Sequence, residues 1–120
     1  MHVSTETLNQ QVCAIVTSEK LIIHDTQSAL DFILSVSHQT DCSRIALNKE
    51  AFSEDFFSLR TGLAGEILQK FSNYQIKFAI IGDFSGYTSK ALHDFIYECN
   101  NGQQIFFVST KEQAIQKLCA

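Results

Sequence analysis

Apolar and polar positions along the 120-residue chain switch repeatedly between a two-residue and a helical period. The apolar-rich run QVCAIVT at residues 11–17 predicts a first strand, and KLIIH at 20–24 a second. Only Ser18-Glu19 separates them, which predicts an antiparallel hairpin. The preceding ten residues are polar and read as a flexible N-terminal segment. Asp25 or Thr26 then offers a helix cap, and Ala29, Leu30, Ile33, Leu34 and Ser37 fall on one helical face. RIALN at 44–48 predicts a third strand. Ser53 follows as an N-cap, with Glu54 and Asp55 in the first turn, where the helix dipole favours negative charge. Leu63, Ala64, Ile67, Leu68 and Phe71 continue the helical spacing. Gly62 and Gly65 interrupt it at about 1 kcal/mol each relative to Ala, and read as close packing or as a break near Thr61-Gly62.

IKFAIIG at 76–82 predicts the fourth strand. Residues 88–100 predict a helix with Ala91, Leu92, Phe95, Ile96 and Cys99 on one face, closed by Asn101-Gly102. QQIFFV at 103–108 predicts the fifth strand. Ser109-Thr110-Lys111-Glu112 reads as a capping box before a last helix presenting Ala114, Ile115, Leu118 and Cys119. The order β-β-α-β-α-β-α-β-α implies a single α/β domain over residues 1–120. Its five-stranded sheet is mostly parallel, with right-handed crossovers and an antiparallel first strand at the edge. The continuous runs FAII and IFFV imply strands buried on both faces.

Composition narrows the function. A hydrophobic content of 45% with ten Phe and no Trp implies a Phe-rich core. A net charge of −4 argues against nucleic acid, which needs a basic stripe. No run approaches the roughly 18 apolar residues that span a bilayer, and the polar N-terminus argues against a signal peptide, so the expected location is the cytoplasm. Cys13, Cys42, Cys99 and Cys119 are far apart and read as small core residues in a reducing compartment. Cys99 falls on the inner face of its helix, which favours packing over nucleophilic chemistry. His2, His24, His38 and His93 lie in separate elements without ligand spacing, so neither a metal nor another cofactor is expected.

The stretch IIGDFSGYTSKALHDFIYECN, residues 80–100, carries the clearest candidate chemistry. Gly82 and Gly86 bracket a polar loop between a strand and a helix, the setting of a phosphate-binding turn. The P-loop pattern fails, because one spacer is missing and Tyr87 stands in place of the Lys. The dinucleotide pattern fails on glycine number and spacing. Asp83 would repel an anion; it fits a cation, or a turn in which it accepts from Ser85 or Thr88. The turn reading outweighs the ligand reading. Parallel strands gather the loops bearing Asn48, Lys49, Glu50, Ser53, Asp83, Ser85, Thr88, Ser109 and Thr110 along one edge, with Arg60 and Thr61 joining if the helix breaks. Glu50, Asp83, Ser85 and Thr88 are the candidate ligand-binding residues there. Phe56, Phe57, Phe84 and Tyr87 are candidates for a protein-partner or homodimer surface.

The segments SEDFFSLRTGLAGEILQKFSNY, IIGDFSGYTSKALHDFIYECNNG and QIFFVST resemble a bacterial family described as domain of unknown function 4180. They cover about half the chain. The order of elements also resembles the STAS domains of anti-sigma-factor-antagonist type. That resemblance implies a regulatory module in which a Ser or Thr after the third strand is phosphorylated, which here is Ser53. Where those domains have an Asp, two Ser and a Gly, this chain has Ser53-Glu54-Asp55-Phe56, so a phosphate would meet two carboxylates. The reading that results is a non-catalytic regulatory or protein-interaction module. The alternative is a small-molecule-binding protein or small enzyme using the sheet edge around Asp83.

Overall fold

The computed structural model describes residues 1–120. Strands β1 (His2–Leu8), β2 (Gln11–Thr17), β3 (Arg44–Asn48), β4 (Lys77–Ile81) and β5 (Ile105–Val108) form one sheet in the order β1-β2-β3-β4-β5. β1 runs antiparallel to β2, and the other neighbours are parallel, as the mostly parallel α/β reading expects. The parallel part of the chain advances one strand at a time in one direction, so right-handed crossovers carry every connecting helix over the same face. These helices are α1 (Thr26–Thr40), α2 (Glu54–Phe57), α3 (Leu63–Asn73) and α4 (Lys90–Asn100). Helix α5 (Lys111–Leu118) has no further strand to reach and folds back under the opposite face.

Alternation along the strands divides the core in two. Ala14, Val16, Ile45, Leu47, Phe78, Ile80 and Phe107 meet α1 to α4. Cys13, Ile15, Ala46, Ala79, Phe106 and Val108 meet Ala114, Leu118 and Cys119 at α5. FAII and IFFV are thus buried on both faces for the reason the sequence implied. Every Phe except Phe106 belongs to one chain of ring contacts on the four-helix face, with Phe78 touching Phe32, Phe52 and Phe71. Its links to Phe71, stacked at 4.5 Å, and to Phe52, edge-on at 6.2 Å, join α3 to the segment before α2.

The N-terminal third departs from the pattern-based reading. The first ten residues are not a flexible segment: they hold β1, which pairs with β2 along its whole length. The hairpin is therefore one element earlier than expected. Its turn is Asn9-Gln10, both with positive φ (53° and 65°), the twist a two-residue hairpin needs. HVSTETL has only two apolar residues, because an edge strand needs little burial, and its Val and Thr suit extended backbone. Residues 20–24 are not a sheet strand. They form a strap in which the Ile22 and Ile23 amides both donate to Ala51 O (2.8 and 2.9 Å) and Ser53 N donates to Ile23 O (2.8 Å). Buried Ile23 forms an isolated parallel bridge with Phe52, so its apolar character is met above the sheet.

The helix boundaries shift in smaller ways. The inner face of α1 is Ala29, Phe32, Ile33 and Val36, whereas Leu34 is 49% exposed. Asp25 caps α1, accepting from Ser28 N at 2.7 Å. The break near Thr61-Gly62 is real: Gly62 at φ 78° separates a single turn over Leu59–Thr61 from α3. Thr110 caps α5 by accepting from Gln113 N (3.1 Å), and Gln113 returns a bond to Ser109 N, one residue later than the expected box.

Candidate functional site

The loop after β4 is held by close packing at its start. A Cβ on Gly82 would lie 2.6 Å from Lys49 Cβ, so glycine is what lets the loops after β3 and β4 meet. Asp83 Oδ1 then accepts from Ser85 Oγ (2.6 Å) and Ser85 N (2.9 Å). The Ser85 hydroxyl, then its amide, hold the Asp83 carboxyl below its ordinary pKa, with Lys49 adding a weaker attraction. Phe84 turns inward between Phe57 and Phe107, at 5.9 and 5.3 Å. The helix begins at Lys90, later than expected, and its cap is Ser89, which accepts from Leu92 N at 3.2 Å. Thr88 lies exposed just outside it, because the chain is still extended at Ser89.

Tyr87, where a phosphate loop would have its Lys, stacks on Phe57 at 5.4 Å and carries the Lys49 ammonium 4.8 Å above its ring. Its hydroxyl donates to Glu54 Oε2 at 3.0 Å. Burial first, and the Glu54 bond second, push the phenol pKa up, so Tyr87 is held as a donor. Glu50 accepts from Asn48 Nδ2 at 3.1 Å, and this bond lowers its pKa ahead of its own backbone N–H and Lys49. Asn48 also clamps the end of β2 to β3, exchanging bonds of 2.8 Å each with Ser18 N and Ser18 O. Lys49 is thus the cation shared by Glu50, Asp83 and Tyr87, a grouping the sequence reading did not draw. Nothing local in the sequence signals it, because Lys49 and Tyr87 lie in loops that follow different strands.

Ser53 is half-buried at the start of α2, where its hydroxyl accepts from Asp55 N at 3.3 Å. Thr61 lies with this segment, its hydroxyl donating to Asp55 O at 2.8 Å, while Arg60 is exposed. Phe56 and Phe57 are buried rather than surface-facing, which is where ring packing against Phe52 puts them. Phe84 and Tyr87 are half-buried.

Two cavities open on the carboxyl edge, one at the ends of β2 and β3 beside Asn48 and one at the end of β5 beside Ser109, and another lies against α1. A polar groove of about 590 Å³ is lined by His2, Thr17, Ser18, Glu19, Lys20 and Asn48. It adjoins a more apolar groove of about 510 Å³ between the strap and α1, lined by Leu21 and Ile22 of the strap and by Asp31, Phe32, Ser35 and Val36 of α1. A third, of about 360 Å³, runs from Asn100 and Phe107 to Gln113 and Lys117. Glu50, Asp83, Ser85 and Thr88 line none of the three. Among the thiols, burial, then the adjoining Cys119, push Cys13 up to about 12, and burial pushes half-buried Cys99 up to about 11. All four cysteines are free. No three His, Cys, Asp or Glu side chains converge, and no helix is long and apolar enough to cross a membrane.

Comparison with known families gives a match to the model described as domain of unknown function (DUF4180), over residues 8–118. The chain belongs to that family. The same comparison with curated proteins, and with solved structures, finds no match.

Proposed function

We propose that this DUF4180 chain is a non-catalytic regulatory or protein-interaction module of the bacterial cytoplasm, laid out like a STAS domain. One observation carries the reading: the polar groups at the carboxyl edge are engaged with one another. Asp83 is closed on Ser85, Glu50 on Asn48, and Glu54 on Tyr87. Such an edge is built to hold a surface of fixed shape, and poised acid or base groups would need pKa values moved toward neutrality instead. The lowered pKa of Asp83 and Glu50 moves them away from it. The sheet order, with an antiparallel first strand and α1 to α4 on one face, supports the STAS-like layout.

Within this reading Ser53 is the position for a regulatory phosphate. Adding it removes the cap on Asp55 N and sets new charge beside Glu54 and Asp55, which would loosen the α2 segment. The test is capture of partners by tagged chain, wild type against Ser53→Asp. A specific protein partner whose binding changes with Ser53→Asp supports the proposal. Saturable thermal stabilisation by one small molecule, lost in Asp83→Asn with folding retained, would replace it with the ligand-binding alternative.

A further inference from the structure

The sheet has two edges, and only one is closed. At β5 the edge strand is four residues long, and the Asn100 side chain covers it. Asn100 Oδ1 accepts from Phe107 N (2.8 Å), and Asn100 Nδ2 donates to Phe107 O (3.1 Å), so an amide takes the place of a neighbouring strand. At the other edge, β1 runs seven residues in unbroken register, with no Lys, Pro or bulge. These are the devices that ordinarily protect an open edge. Its one charged residue, Glu6, is already paired with Lys111 of α5 at 3.2 Å.

Hairpin geometry says which groups face outward. In a two-residue hairpin the closing pair, Leu8 with Gln11, exchanges both hydrogen bonds. Alternation then turns the N–H and C=O of Ser4 and Glu6 toward β2, and those of Val3, Thr5 and Thr7 away from it. The side chains of Val3, Thr5 and Thr7 are β-branched and lie on the four-helix face, opposite Val16, Ala14 and Val12. Thr5 and Thr7 are exposed.

We infer that β1 is an association edge for a second copy of this chain, paired antiparallel about a two-fold axis through Thr5. In this register Thr5 meets Thr5, and Val3 meets Thr7, so every outward backbone group finds a partner. The side-chain pairs are β-branched against β-branched, which suits a sheet surface. Glu6 faces Ser4 of the second copy. A register centred on Glu6 would oppose two carboxylates, and one centred on Ser4 would leave Thr7 unpaired. Axis and pleat require like faces to continue, which removes the registers in between. The two sheets become one, with both α5 helices below it. This interface stands on the edge alone and does not depend on the regulatory reading.

The test combines solution mass with amide exchange on the intact chain. Light scattering is expected to give twice the chain mass, falling toward one on dilution. Exchange at the Val3, Thr5 and Thr7 amides is expected to be as slow as at Ser4 and Glu6. Thr5→Pro removes an outward N–H and no hairpin bond, so it should halve the mass and speed exchange at Val3 and Thr7 by roughly tenfold or more. Thr5→Lys places like charges at the axis and should do the same, which covers a failure of Thr5→Pro to fold. A single-chain mass at every concentration with free exchange at Val3, Thr5 and Thr7 overturns the inference. So does a dimer that survives both variants, or protection of β1 that arises only when an extended peptide of another protein is added.

Discussion

The two faces of the sheet solve the same problem with opposite materials. On one, four helices enclose a connected set of Phe rings; on the other, one eight-residue helix lies across a smaller set in which Phe106 is the only ring. Ala46 and Ala79 are register partners in the middle of the α5 face, and they let the helix approach the sheet closely. Arg44 then reaches over to donate to Leu118 O at 2.7 Å, and Asn9 donates to Cys119 O at 3.2 Å, tying down the helix end. The thick face depends on large rings, the thin face on Ala46 and Ala79 leaving room for α5. Phe78 and Ala79, neighbours along β4, therefore have opposite tolerances.

That contrast gives the two largest expected effects. Phe78→Ala opens a cavity where Phe32, Phe52 and Phe71 converge, and should lower stability by about 3–5 kcal/mol in urea titration. A loss near the small end of the ordinary mutational range would mean that the ring network is loosely packed. Ala79→Leu, next along the same strand, should do the reverse kind of damage. It overfills the space beneath α5 and should cost about 1–3 kcal/mol, with amide exchange rising in α5 before α1 or α3. Uniform loosening of all helices would show that the two faces are mechanically one.

The thick face was legible because its apolar positions obey a helical or strand period. Ala64, Ile67 and Phe71 fall on the buried side of α3, and FAII and IFFV are strands for the reason expected. The thin face was half legible: Ala114, Leu118 and Cys119 were placed on one side of α5, but nothing in their spacing says which face of the sheet receives them. What failed was polarity used as a signal for disorder. β1 is an edge strand held by backbone bonds to β2, so HVSTETL has no need of an apolar period. The strap at 20–24 is the converse error, because Ile22 and Ile23 bury apolar surface while their amides bond to the Ala51 carbonyl rather than to a neighbouring strand. At the candidate site, the Asp83–Ser85 turn followed from residue types, whereas the Lys49–Tyr87 contact joins two loops across strands and has no local signature.

Alkali should probe the thin face first. The Cys13 thiol is buried between β2 and α5 and titrates near 12 instead of its ordinary 9.0, because burial and Cys119 disfavour the thiolate. A raised folded pKa means that its contribution is intact below the unfolded value and lost as pH climbs through the folded one. Stability should therefore fall between about pH 9 and 12, and Cys13→Ala should flatten that limb in thermal melts, measured as the slope of Tm against pH. An unchanged slope would assign the alkaline loss to other groups.

Acid should probe the thick face, and more gently. Asp25 caps α1, and Ser28, by its amide and then its hydroxyl, holds that carboxyl below its ordinary value of 3.8. A lowered folded pKa contributes stability above the unfolded value and loses it as pH falls through the folded one. Asp25 is exposed, so water and salt screen most of this effect and the acid limb should be shallow. Asp25→Asn keeps an oxygen that can accept from Ser28 N while removing the titration. It should leave the melt at neutral pH nearly unmoved and remove part of the decline below pH 4. A large loss at neutral pH instead would mean that the charge itself, interacting with the α1 dipole, is what holds the first turn against the sheet.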